Sequence, residues 1–175
     1  MRPGGGILAI LLAAALAAQG RGWWLDVPFV RQVEDGCGSA ALAMTMQYWL
    51  RHGALGNLED ADAVRIQRAL YSAEDKGIRA SAMQRYLEGH GFRGLVFRAA
   101  WSDLAEQLQK GRPLIVSLRE GRSFHYVVVA GWSEITIEVN DPADRKLRKM
   151  DRAEFEKKWR AAENWTLLAV PRAVS

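Results

Sequence analysis

The chain has a single cysteine, Cys37, set between Gly36 and Gly38 in the stretch Gln32-Val33-Glu34-Asp35-Gly36-Cys37-Gly38-Ser39. Residues 40–50 follow at once, apolar on nearly every side, and predict a buried helix that stops at Gly53. The thiol therefore falls at a helix N-terminus, where unpaired backbone N–H groups and the macrodipole favour an anion. A cysteine there becomes a thiolate and hence a nucleophile; the competing reading is a small buried hydrophobe. A nucleophilic thiol needs a base, and the sequence offers three histidines. His52 lies at the far end of the same helix, about four turns away and out of reach. His90 stands between glycines in a loop and reads as solvated. His125 opens the run His125-Tyr126-Val127-Val128-Val129-Ala130-Gly131-Trp132, a strand apolar enough to be buried on both faces.

A hairpin turn centred near Ser133 would bring the next strand back so that Asp141 lies directly opposite His125. Opposed residues have Cβ atoms about 4.5–5.5 Å apart, close enough for a carboxylate to fix the imidazole tautomer and favour its protonated form. Asn140 would point to the other face, and a one-residue shift of the turn would hand it the role instead. Alternatively, Asp141-Pro142 simply begins a turn. One cysteine and three dispersed histidines form no ligand cluster, so no metal and no cofactor is expected. The formal charge of +4, from 24 basic and 20 acidic residues, is too small an excess to indicate nucleic acid. The one basic run, Arg145-Lys146-Leu147-Arg148-Lys149, reads as a solvated turn or strand edge.

The elements that must position these residues are legible in order. Residues 23–30 read as an extended segment leading to Gln32, followed by the central helix. Residues 58–70 and 81–88 carry helical spacing, the second closed by Gly89 and Gly91. Beyond them, residues 94–98, 113–118, 124–131, 135–140 and 165–170 are strand-like. Ser102 is expected to cap a short helix ending at Gly111, and Asp151 another running to Trp159. Helices first and an antiparallel sheet second is an α+β layout. Trp23, Trp24, Trp101 and Trp132 are expected to pack rather than line a groove. At 175 residues the chain suits one domain. Residues 1–18 read as a secretory signal peptide, leaving residues 19–175 as the mature domain. Arg2 supplies the positive start, residues 7–18 the apolar stretch and Ala15-Leu16-Ala17 the cleavage site. That stretch is short for a membrane span of roughly 20 residues, so an exported protein (periplasmic or extracellular) with no stable membrane insertion after cleavage is expected. An uncleaved anchor is the alternative. Export makes a lone thiol notable, since it cannot form a disulfide within the chain and implies intermolecular pairing or a reactive group.

Four blocks together resemble the C39-like peptidases of the papain-like cysteine protease superfamily. They are Val27-Pro28-Phe29-Val30-Arg31-Gln32, Cys37-Gly38-Ser39-Ala40-Ala41-Leu42-Ala43-Met44, residues 125–132 as written above, and Val139-Asn140-Asp141-Pro142. The resemblance runs in family order over most of the mature chain. It implies a papain-like fold with the nucleophile helix packed on a sheet that carries the histidine. By position it implies Cys37 as nucleophile, His125 as general base and acid, Asp141 as the residue orienting His125, and Gln32 as the oxyanion-hole glutamine. Many relatives have proline where Ser39 stands, and a Gln–Cys separation of about six where this chain has five. The implied activity is hydrolysis of a peptide or protein substrate. Its alternatives are a non-catalytic peptide-binding module and an acyl-transferring, transpeptidase-like thiol enzyme. Bacteriocin-exporting relatives fuse this domain to a transporter; no GxxxxGK[ST] nucleotide motif is present here.

Overall fold

The computed structural model describes residues 22–172, so the leader reading of residues 1–18 lies outside the described residues. Seven strands form one antiparallel sheet: β1 (Trp23–Trp24), β2 (Phe92–Arg98), β3 (Leu114–Glu120), β4 (Ser123–Trp132), β5 (Thr136–Asn140), β6 (Arg148–Asp151) and β7 (Trp165–Pro171). The main path is β2-β7-β3-β4-β5-β6, with β1 paired to the end of β4. Among the described residues five helices accompany it: α1 (Cys37–Arg51), α2 (Ala63–Leu70), α3 (Ala80–Gly89), α4 (Trp101–Gln109) and α5 (Arg152–Arg160). The layout is α+β.

The apolar run of β4 explains the layering, because side chains alternate across a strand. Tyr126, Val128 and Ala130 pack with Leu42, Met44, Met46 and Leu87 of α1 and α3. Val127 and Val129 face the other way, onto Leu104, Leu108, Phe155 and Trp159 of α4 and α5. The sheet is thus covered on both faces, and α1, with ten buried residues, is the central element of one of them. Each large apolar side chain buried this completely contributes roughly 1.5–3 kcal/mol.

Several local expectations are corrected. Residues 58–70 do not form one helix; a 3-10 turn, Leu58–Ala61, precedes α2. Asp62 breaks the run because it takes an extended conformation and its carboxylate accepts the Arg65 N–H at 2.8 Å. Ser102 lies inside α4 and does not cap it; Asp103 reaches back to the Ala100 N–H at 2.7 Å. Asp151 precedes α5 without a side-chain cap bond. His90 is not a solvated loop residue. It ends α3, stacks on Tyr86 with ring centroids 4.1 Å apart, and its Nδ1 meets the Tyr86 carbonyl at 2.7 Å. Trp23 and Trp24 are exposed at 51% and 59% and do not join the core. Among the described residues, no helix is long and apolar enough to cross a membrane.

Candidate active site

Cys37 is the first residue of α1, and the turn that delivers it is tightly built. Asp35 takes a left-handed φ of 54°, and the Gly36 N–H returns to the Val33 carbonyl at 2.9 Å. A side chain at Gly36 would come within 2.9 Å of that same carbonyl oxygen. At Gly38 a Cβ would stand 3.2 Å from the Ile78 Cβ and 3.5 Å from the Tyr126 ring. Gly36 therefore lets the turn close on Val33, and Gly38 lets the helix start seat against β4, the strand that carries His125. Ser39 donates its hydroxyl to the Gly36 carbonyl at 2.9 Å.

His125 and Asp141 meet, although not as direct cross-strand neighbours. The β4–β5 register pairs Val128 with Asn140 and Val129 with Val139, and it shifts between Val129 and Gly131. The turn centres between Glu134 and Ile135 and not at Ser133, and the bulge takes back one residue of that difference, so Asp141 lies just past the paired part of β5 and the expected opposition of His125 and Asp141 is corrected to a diagonal contact. Both still project from the same sheet face, because the displacement keeps the two-residue period. The His125 Nε2 lies 2.7 Å from Asp141 Oδ1, with the two residues 9% and 3% exposed. That bond leaves Nδ1 as the nitrogen free for Cys37. Burial works against a charged imidazole, but the Asp141 hydrogen bond and charge outweigh it, together with the Cys37 sulfur beside it. His125 is raised from 6.5 to about 9. For Asp141, burial favours the neutral acid, yet His125, Arg148 and the Ala143 N–H hold it down at about 2. At neutral pH the pair is an imidazolium and a carboxylate.

Asn140 does something different. It is fully buried and donates its Nδ2 to the carbonyls of Val27 and Pro28 at 3.1 and 3.2 Å, while its Oδ1 accepts the Leu147 N–H at 3.0 Å. The following residues hold the same N-terminal segment. The Gln32 N–H donates to the Pro142 carbonyl at 3.0 Å, and Arg31 reaches the Asp144 carbonyl at 2.9 Å. One loop, residues 140–147, thus carries Asp141 and fixes the backbone of Gln32. The Gln32 Oε1 is buried with no hydrogen-bond partner in the protein, a state that costs about 1–3 kcal/mol. His52 is not at the site; its Nδ1 meets the Tyr48 carbonyl at 2.7 Å at the far end of α1.

Sequence reasoning missed two contributors. Arg148 sits in the basic run read as a turn or strand edge, and its Nη1 binds Asp141 Oδ2 at 2.8 Å. Tyr126 adjoins His125; burial and then the Cys37 charge push its phenol up to about 12, so it stays protonated. Its ring packs beside Trp165, centroids 5.3 Å apart. Together with Phe97, Phe124, Ser117 and Ala80 they line a cleft of about 500 Å³ on the α3 side of the sheet. The signal for Tyr126 was its place next to the candidate base; Arg148 had none stronger than its distance from Asp141 across a turn. Among the described residues no group of three potential metal ligands gathers.

Similar folds are known. A Bacillus anthracis protein described as a C39-like peptidase superposes with a TM-score of 0.69 at 16% identity, over 89% of this chain and all of that one. The peptidase domain of Streptococcus ComA, a bi-functional ABC transporter, gives 0.65 at 20% identity, covering 82% of this chain and 97% of that one. A double glycine motif protease from an AMS/PCAT transporter, solved with its leader peptide, gives 0.63 at 23% identity over 88% and 97%. These identities speak to the fold alone. No curated protein matches the sequence. The Peptidase_C39 like family, however, matches residues 24–166, most of the chain, and the protein belongs to that family.

Proposed function

We propose that this protein is a cysteine peptidase that hydrolyses peptide bonds with Cys37 as nucleophile, His125 as base and acid, Asp141 as orienting carboxylate and Gln32 in the oxyanion hole. The observation that carries the reading is the buried His125–Asp141 hydrogen bond of 2.7 Å at the start of α1, where the only cysteine stands. With the proton already on the His125 imidazolium at neutral pH, the Cys37 sulfur attacks the amide carbonyl as a thiolate. The oxyanion is held by the Cys37 backbone N–H, unpaired because it heads the helix, and by the Gln32 side-chain amide. The imidazolium then protonates the departing amine, leaving a thioester that water cleaves to free the acid and the thiol. Asp141 keeps the imidazole in place and stabilises its cation through both halves. The aromatic cleft beside Tyr126 suits an apolar side chain of the peptide. Residues 1–18 act as a secretory signal, so the enzyme works outside the cytoplasm.

The test needs no known substrate. Cys37 is the sole thiol, so iodoacetamide uptake reports it alone. Alkylation at neutral pH is expected to slow by about tenfold or more in His125→Ala, as one lost charge partner implies. An equal rate in both proteins would remove the Cys–His pair and leave a peptide-binding module; a pair that is present justifies screening peptide libraries for cleavage.

A further inference from the structure

The structure assigns to Arg148 a positioning role in this site: its guanidinium holds the Asp141 carboxylate turned so that Oδ1 faces His125. This rests on the peptidase reading above and extends it to a residue outside the proposed triad. The geometry has three parts. Asp141 spends its two oxygens on different partners, Oδ1 on His125 and the Ala143 N–H at 3.1 Å, and Oδ2 on Arg148 at 2.8 Å. A carboxylate bonded only at Oδ1 can rotate about its terminal torsion, which is broad and two-fold; the second anchor removes that freedom. Arg148 is itself held, since its backbone begins β6 opposite Val139 and its Nε lies 3.6 Å from Asp144 Oδ2.

The backbone just before Arg148 is bent to suit. Leu147 takes a left-handed φ of 50°, a conformation that is costly for a branched side chain, while its N–H is pinned to Asn140 Oδ1 at 3.0 Å. Asn140 and Asp141 are consecutive, so the hairpin of residues 140–148 closes on itself twice, once through each side chain. The second closure is the one that reaches His125.

Charge alone and positioning predict opposite signs. Arg148 is a cation near the imidazolium, so losing only its charge would make His125 easier to protonate. Losing its hold on Asp141 would let the carboxylate turn away and make His125 harder to protonate. The experiment is an NMR titration of the His125 ring in Arg148→Met, Arg148→Lys and wild-type protein, with Arg145→Met as a control from the same basic run. The expected result is a fall of about one pH unit or more in the His125 midpoint for Arg148→Met, partial recovery in Arg148→Lys, and no change in Arg145→Met. Adding Arg148→Met to Asp141→Asn should produce no further fall, since the two act through one bond. A midpoint that stays or rises in Arg148→Met overturns the assignment. If Arg148→Met does not fold, Arg148→Lys decides: a wild-type midpoint with the point charge alone likewise overturns a role for the oriented guanidinium. The titration reads His125 directly and does not depend on Cys37 reactivity, so it separates failure of this assignment from failure of the peptidase reading, which the alkylation experiment tests.

Discussion

His125 and Asp141 titrate as a unit, and their hydrogen bond acts at opposite ends of the pH scale. His125 is raised from 6.5 to about 9, so its share of stability is complete below 6.5 and lost as pH rises through about 9. Asp141 is lowered from 3.8 to about 2, so its share is present above 3.8 and lost as pH falls through about 2. Urea midpoints of wild type and Asp141→Asn should therefore differ most between pH 3.8 and 6.5 and draw closer as pH rises through about 9, with the Arg148 and Ala143 bonds to Asp141 sustaining a smaller gap beyond it. A constant gap across that range would show that the pair does not titrate this way. Activity carries the same mark: once a cleaved peptide is in hand, its alkaline limb should move down in Asp141→Asn. With that peptide, Cys37→Ala should be inactive, whereas Gln32→Ala should retain measurable turnover, lower by ~10²–10³ in kcat for the loss of one oxyanion donor.

Among the elements, the hairpin of residues 140–148 does most to arrange the site. Asn140→Ala removes a buried amide that satisfies the Val27, Pro28 and Leu147 backbone groups. Leaving those groups unpaired should cost roughly 2–4 kcal/mol in denaturant unfolding. Its effect on the site should fall on the Gln32 segment and spare the His125 titration, because the His125–Asp141 bond does not pass through Asn140. A parallel loss of the His125 midpoint would mean that the hairpin acts as one block. Farther from the site, Asp62→Ala deletes the α2 N-cap and should cost about 0.5–2 kcal/mol, read as a lower urea midpoint with alkylation of Cys37 unchanged.

At the scale of the molecule, stability resides in the two apolar layers on either face of the sheet. Leu42, fully buried in α1, should cost about 3–5 kcal/mol when truncated to alanine, and such a loss would also loosen the helix whose first residue is Cys37. Trp24→Ala, at an exposed edge, should change stability by no more than about 0.5 kcal/mol. A large effect there would mean that the β1 edge contributes more to folding than its exposure implies.

The division between sequence and structure follows from which interactions are local. Cys37 at a helix start, the doubly buried strand after His125 and the order of helices before strands are set by nearest-neighbour pattern, glycine placement and hydrophobic period. They were legible together with the α+β class and the family. Residues 58–70 misled because the helical period continues through Asp62, whose carboxylate caps a new helix instead of extending the old one. Gly131 inside an apolar strand was a signal for a bulge, but the direction of the register shift depends on how β5 packs, and only the folded sheet decides it. The same holds for the partners of residues 140–148. That Asp141 bonds His125, that Asn140 ties down the segment carrying Gln32, and that Arg148 anchors the carboxylate all depend on long-range side-chain geometry. A one-dimensional pattern records which groups are available, while burial and register select which of them meet.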